Sequence, residues 1–251
     1  MPSPKPTIII APGAWQLASG FSRFASQLQG AGYSTEVVSY PSVGGTVSPL
    51  PGLSDDVAAT RKILSKVLEY GKDILLLCHS YGGVVGSCAV EGLSTVEREK
   101  EGKRGGVKLV VYLSAFMIPR GKSLLDILGG QPLPWMDVQG EKTTAVASMM
   151  PQIVFNDMSP EQAAIGMEHT SHSSTSVFAT PSTFEPWANG IPCAYIFCTD
   201  DNALPFLTQK QMAEQLGTEP LTWRLTAGHC PFFSIPDQLL EVVQKAADGM
   251  S

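Results

Sequence analysis

The segment Ile74-Leu75-Leu76-Leu77-Cys78-His79-Ser80-Tyr81-Gly82-Gly83-Val84-Val85 joins an apolar run, a serine among small residues and a second apolar run. This layout predicts a buried strand, a tight turn carrying Ser80, and a helix. A serine on such a turn has a strained backbone, needs small neighbours two positions away, and aims its Oγ at a pocket near the helix N-terminus. Gly82 meets that need on one side; Cys78 stands on the other. A serine hydroxyl is a weak nucleophile at neutral pH and requires a base, usually histidine. Of the four histidines, His229 lies between the last strand-like run and the last helical one, on a loop that can reach the nucleophile turn. His79 adjoins Ser80 and points another way, so local packing or bonding is its expected role. His169 and His172 fall in a later stretch where a surface or pocket-lining role is expected.

The base in turn needs a carboxylate that fixes its tautomer. Asp200 and Asp201 follow the apolar run Ala194 to Thr199, at a strand end where ligand-facing loops begin. One of the two is expected to orient His229. Acyl transfer also needs donors where negative charge develops. The first strand ends in Ala11-Pro12-Gly13-Ala14-Trp15, where Gly13 permits close backbone approach. The N–H groups of Ala14 and Tyr81 are therefore the expected oxyanion hole.

Short apolar or β-branched runs must carry these groups: Thr7 to Ala11, Thr35 to Tyr40, Asp73 to Cys78, Val107 to Ser114, Ala194 to Thr199 and Leu221 to Thr226. Between them lie helix-period segments containing Phe21 to Ala31, Val57 to Leu68, Val84 to Leu93 and Leu239 to Ala247. Alternation of this kind predicts an α/β fold with a mostly parallel sheet wrapped by helices. The charged run from Glu97 to Gly106 reads as a solvated loop.

The rhythm stops between about Pro119 and Pro192, a stretch with several prolines, many methionines and no evident strand. Structureless loops of that length are rare in compact domains. It is expected to be an inserted, mostly helical cap over residues 119–192, with 1–118 and 193–251 forming the core domain. Trp135, Met136, Met149, Phe155 and Trp187 from the cap, with Trp15 from the core, are the expected substrate contacts, since aromatic and thioether groups adapt to apolar ligands. About half of the cap's large apolar residues are expected to be its own core. Residues 119–190 carry three basic and seven acidic side chains, which should repel anions.

Composition bounds the rest. The 251 residues are 43% hydrophobic and 16% charged, which fits one globular domain with a core large enough to enclose a pocket. A net charge of -6 without a basic run argues against nucleic acid. The odd set Cys78, Cys88, Cys193, Cys198 and Cys230, with no CxxC pair, argues against a disulfide framework or a zinc site and for reduced thiols. The start Met1-Pro2-Ser3-Pro4-Lys5-Pro6 lacks a signal-peptide apolar core, and no run approaches the ~20 apolar residues of a membrane span. The expectation is a cytoplasmic protein that takes a small-molecule substrate, binds no membrane, metal or cofactor, and could form a homodimer.

Together these pieces resemble the α/β-hydrolase superfamily, and within it the small branch of methylesterases and hydroxynitrile lyases. The matching segments are Pro12-Gly13-Ala14-Trp15, Gly32-Tyr33 with Tyr40-Pro41-Ser42-Val43-Gly44, His79-Ser80-Tyr81-Gly82-Gly83, Asp201-Asn202-Ala203-Leu204-Pro205, and Gly228-His229. The order Ser80, Asp, His229 is that of the family. Its acid usually begins an Asp-x-x-x-Pro stretch, which selects Asp201. Pro12 replaces a frequent histidine, and Cys78 a usual glycine. Cys230 stands where hydroxynitrile lyases carry lysine, which counts against cyanohydrin cleavage. The resemblance implies a cofactor-independent serine hydrolase for an ester or lactone of a small apolar molecule. Rival readings are a lyase, C–C hydrolase or cyclase using His229 as base, and a non-catalytic binder.

Overall fold

In the computed structural model, which describes residues 5–250, the strands are β1 (Thr7–Ala11), β2 (Thr35–Val37), β3 (Ile74–His79), β4 (Val107–Leu113), β5 (Met136–Gln139), β6 (Lys142–Ala145), β7 (Ser173–Ser174), β8 (Cys193–Cys198) and β9 (Leu221–Leu225). The α-helices are α1 (Ser22–Gly30), α2 (Leu53–Glu69), α3 (Gly82–Ala89), α4 (Thr95–Lys100), α5 (Leu124–Ile127), α6 (Met150–Ile153), α7 (Pro160–Glu168), α8 (Ser176–Ala179), α9 (Phe206–Ala213), α10 (Pro231–Ser234) and α11 (Pro236–Asp248). The part of the chain start at residues 1–4 lies outside the described residues. No described helix is long and apolar enough to cross a membrane.

The six apolar runs form one parallel sheet in the order β2-β1-β3-β4-β8-β9. Its strands alternate between two buried layers. Ile9, Ala11, Leu76 and Cys78 pack with α2 and α3 residues such as Leu64 and Val85, while Ile8, Ile10, Leu75 and Leu77 pack with Phe24 and Leu28 of α1 and Leu239 and Val243 of α11. Burial of both faces explains why β3 reads as a continuous apolar run rather than an alternating one. The chain leaves β1 for β2 on one side and returns past β1 to β3. The crevice where strand order reverses therefore opens between the C-terminal ends of β1 and β3, the usual ligand position in open α/β sheets. Those two ends carry Gly13-Ala14 and Ser80.

Two local readings are corrected. The charged run begins as helix α4, because Ser94 and Glu97 form a reciprocal capping box. The insertion between β4 and β8 contains the four α-helices α5 to α8 and, besides them, the antiparallel sheet β5-β6-β7. Its first two strands are joined by Gly140-Glu141, with Gly140 at φ 60°, the left-handed conformation that a two-residue hairpin turn requires. Strands of two to four residues are too short to show a period of two.

Main-chain hydrogen bonds sew this insertion to the core. Leu17 N–H donates to the His169 carbonyl at 2.9 Å, Ser171 N–H to Trp15 at 2.7 Å, Gly44 N–H to His172 at 2.9 Å and Ser174 N–H to Ser42 at 2.9 Å.

Candidate active site

Ser80 has φ 53°, a left-handed conformation that a serine adopts only under constraint. The constraint is visible on both sides. The Ser80 carbonyl accepts from Gly83 and Phe116 N–H groups at 3.0 Å, and a Cβ on Gly82 would stand 2.2 Å from the Ala11 carbonyl oxygen. Cys78 is tolerated at the other flank because α3 presents Gly86 to it: a Cβ there would stand 2.3 Å from the Cys78 Sγ. The glycine missing before the serine is thus supplied from the facing helix.

His229 Nδ1 lies 2.7 Å from Asp201 Oδ2. Asp201 is almost wholly buried, and four donors satisfy it: His229, the Ser114 hydroxyl on the same Oδ2, and the N–H groups of Ala203 and Leu204, each 2.8 Å from Oδ1. A buried carboxylate so provided for is held in place. Asp200 is engaged elsewhere; its Oδ1 accepts from Thr199 Oγ1 at 3.0 Å. Ser80 and His229 border the same cavity, with no direct hydrogen bond between them among the described residues. Such contacts are often long before substrate arrives.

Ala14 and Tyr81 also border the cavity, and neither of their N–H groups donates to a protein acceptor among the described residues. The neighbouring Gly13 N–H is already taken by Gln16 Oε1 at 2.9 Å. The turn therefore leaves two free donors beside Ser80, the arrangement that a developing oxyanion needs.

Trp15 has φ 63°, exceptional for a bulky residue. Its N–H donates to Ser173 Oγ at 2.7 Å and its indole N–H to the Thr143 carbonyl at 2.8 Å, so the insertion fixes both ends. The ring stacks on Phe178, with centroids 5.1 Å apart, and meets Trp135 at 5.3 Å. These three rings, with Phe116, Leu124, Leu128, Leu133, Met136, Met150, Val154 and Leu204, enclose about 610 Å³ including the mouth. The polar groups on the wall are Ser80, Tyr81, His229, Gln16 and Thr170; among the described residues no Asp, Glu, Lys or Arg reaches it.

Of the expected substrate contacts, Trp15, Trp135 and Met136 line the cavity, and Met149, Phe155 and Trp187 do not. Met149 precedes α6 and is half-buried outside the lining, while Met150 takes the inward position. Phe155 fills the space over Gly166, where a Cβ would come within 2.8 Å of its ring, and packs edge-on against Phe233. Trp187 packs on Tyr112 of β4. Phe155 and Trp187 belong to the hydrophobic core around the insertion and its seam with the sheet.

Sequence reasoning missed Ser114, Gln16 and Asp157. Asp157 Oδ2 accepts from Gly228 N–H at 2.8 Å, which anchors the His229 loop to the insertion. A lone serine, glutamine or aspartate has no spacing signal.

A model of the alpha/beta hydrolase family matches residues 8–242. The chain is 31% identical over 246 residues to the alpha/beta hydrolase nvfD of Aspergillus novofumigatus, covering 97% of each chain. Among solved structures it is similar to a pyrethroid hydrolase from Sphingobium faniae, with TM-score 0.77, 23% identity and 97% of both chains covered. It is likewise similar to polyneuridine aldehyde esterase, with TM-score 0.77, 18% identity, and 97% and 99% of the two chains covered. Family match, full-length relative and sheet order agree: the chain belongs to the alpha/beta hydrolase family.

Proposed function

We propose that this hydrolase cleaves an ester or lactone of a small, neutral, largely apolar molecule through an acyl-enzyme on Ser80. The observation that carries this reading is the grouping around one cavity of a strained serine, a histidine held by a buried carboxylate, and two free N–H donors. Ser80 Oγ attacks the carbonyl carbon as His229 takes its proton. Asp201 keeps Nδ1 protonated, so Nε2 is the basic nitrogen, and stabilises the imidazolium that forms. Negative charge on the carbonyl oxygen falls between the Ala14 and Tyr81 N–H groups. His229 then protonates the leaving oxygen, and water activated by the same histidine releases the acid. No cofactor is needed for any of these steps.

The wall supports the substrate class. A free carboxylate or ammonium group would be desolvated there without a charged partner, which costs several kcal/mol, whereas aromatic and thioether surface suits apolar groups. In this reading residues 119–192 act as the cap that encloses the small-molecule substrate, over a core formed by 1–118 and 193–251.

A fluorophosphonate probe followed by peptide mass spectrometry tests the mechanism. A covalent adduct on Ser80, absent in Ser80→Ala, is expected, together with turnover of short p-nitrophenyl esters. A folded protein that turns over substrate but leaves Ser80 unlabelled would transfer the reading to proton abstraction by His229.

A further inference from the structure

The buried stripe of α2 runs Leu53, Asp56, Thr60, Leu64, Val67 and Leu68, and places a carboxylate where an apolar residue would be expected. Asp56 is 0% exposed, and no Lys or Arg pairs with it among the described residues. Burying an unpaired carboxylate is costly. Three hydrogen bonds offset this cost: Ser42 N–H donates to Oδ1 at 3.0 Å, Ser42 Oγ to Oδ2 at 2.6 Å, and the Tyr81 hydroxyl to Oδ2 at 2.9 Å.

Tyr81 links this carboxylate to the chemistry. It follows Ser80, its free N–H borders the cavity, and its fully buried ring ends on Asp56. Ser42 also connects outward, because its carbonyl accepts the Ser174 N–H of β7. One carboxylate therefore ties together the nucleophile turn, the loop after β2 and, through Ser42, the edge of the insertion.

We infer that Asp56 is a positioning residue for the oxyanion hole: by holding the Tyr81 hydroxyl it fixes the direction of the Tyr81 N–H beside Ser80. The inference rests on the reading of that N–H as an oxyanion donor. Oxyanion donors act through preorganised geometry, and losing one outright costs about 10²–10³ in kcat. A donor loosened rather than removed should cost less, roughly tenfold.

The ionised carboxylate accepts all three bonds at full strength, whereas protonation turns one oxygen into a donor and weakens the set. Burial raises the Asp56 carboxyl to about 6, against the lowering effect of the Ser42 and Tyr81 bonds, and the Asp55 carboxylate adds to the rise. The other titratable neighbours are phenols: Tyr81 itself and Tyr40, whose ring meets that of Tyr81 at 5.8 Å. The hydroxyl arrangement around Tyr81 therefore changes as pH falls through about 6. Removing the Tyr81 hydroxyl cuts the one bond through which Asp56 reaches the Tyr81 N–H, so this transition should no longer register in activity. Because burial raises the folded carboxyl above its unfolded value near 3.9, ionised Asp56 opposes folding above about pH 6. Asp56→Asn lifts that charge penalty but sets amide hydrogens against the Ser42 and Tyr81 donors, so its melting temperature at pH 8 is read beside its activity to separate lost stability from lost positioning.

The test compares wild type, Asp56→Asn and Tyr81→Phe for the rate of fluorophosphonate labelling at Ser80, for kcat and KM with p-nitrophenyl acetate, and for melting temperature at pH 8. Expected are a roughly tenfold lower labelling rate and kcat in both variants and a KM within about threefold of wild type. The component of the acid limb near pH 6 that wild type owes to Asp56 should be absent from the Tyr81→Phe profile. If Asp56→Asn fails to fold, Tyr81→Phe carries the test alone, since it keeps the buried ring. Wild-type labelling rates in the folded variants would overturn the inference, as would a Tyr81→Phe acid limb that coincides with wild type. Failure of the wild type itself to label Ser80 would instead overturn the acyl-enzyme reading on which the inference stands.

Discussion

His79 Nε2 stands 2.8 Å from the carbonyl oxygen of His229, so the residue before the proposed nucleophile holds the main chain of the proposed base. Its Nδ1 contacts Gln16 Oε1 at 2.9 Å, and that oxygen accepts the Gly13 N–H. The neutral ring has a single N–H, which donates from Nε2 to the His229 carbonyl, and that bond braces the histidine loop. His79→Ala should cut kcat by one to two orders of magnitude through lost positioning, whereas His79→Gln, which can still donate to the His229 carbonyl, should retain more. Equal kcat in His79→Ala and wild type would remove the brace from the mechanism.

Burial, and secondarily the nearby His229, push His79 well below the ordinary imidazole range. The folded state therefore keeps His79 neutral at pH values where the unfolded chain, titrating near 6.5, binds a proton. Its contribution to stability is complete above about pH 6.5 and is lost as pH falls toward the folded value. Melting temperatures of His79→Gln should decline less steeply than wild type between pH 7 and pH 5. Parallel declines would show that His79 does not drive acid sensitivity.

Ser80→Ala and His229→Ala should each remove most turnover, with the double variant little worse than either, because members of a catalytic unit are grossly non-additive. Multiplicative losses in the double variant would argue that the two side chains act in separate steps.

Asp201→Asn should lower kcat by about 10⁴, since an amide in its place favours the wrong tautomer of the histidine. Asp200→Asn should change kcat only slightly, because its carboxylate is turned to Thr199. Steady-state kinetics on both variants decides the assignment, and the opposite order would move the acid by one residue.

Three aromatic truncations separate wall from core. Trp135→Ala should raise KM for an apolar ester, because that ring borders the cavity. Trp187→Ala should leave KM near wild type. Phe155→Ala should cost about 3–5 kcal/mol in stability, as large-to-small changes at filled sites do. Urea unfolding beside kinetics reads both quantities.

Of two esters differing only by a remote carboxylate, the anionic one should have the lower kcat/KM at low salt, with the gap narrowing as salt rises. Two features predict this: the excess of acidic residues over 119–190 and the uncharged cavity wall. A higher kcat/KM for the anionic member would contradict both.

The sheet was legible because β3, β4 and β8 are buried on both faces and so appear as unbroken apolar runs between turn residues. The positions of Ser80 and Asp201 were legible for a related reason, since each follows the C-terminal end of such a run, while His229 follows the shorter, partly exposed run of β9. The insertion was not. Its strands are too short to alternate visibly, and its large side chains serve wall and core alike, so Met149 and Met150 cannot be told apart without the helix that turns one of them inward. Asp56 escaped notice because an aspartate in the first turn of a helix ordinarily serves the helix dipole, as Asp55 caps Gly52 here, and only tertiary packing shows that its neighbour faces Tyr81.

The main-chain bonds from residues 169–174 to Trp15, Leu17, Ser42 and Gly44 have a consequence for engineering by cap exchange. A graft cut at both ends of the insertion would discard the backbone partners that hold Trp15 in its left-handed conformation, and with them the shape of the turn at Ala14. The interchangeable module is shorter than the insertion: an exchange that leaves the Trp15 turn and the His229 loop intact keeps residues 169–174 and, with them, Thr143 at the Trp15 indole and Asp157 at the Gly228 N–H.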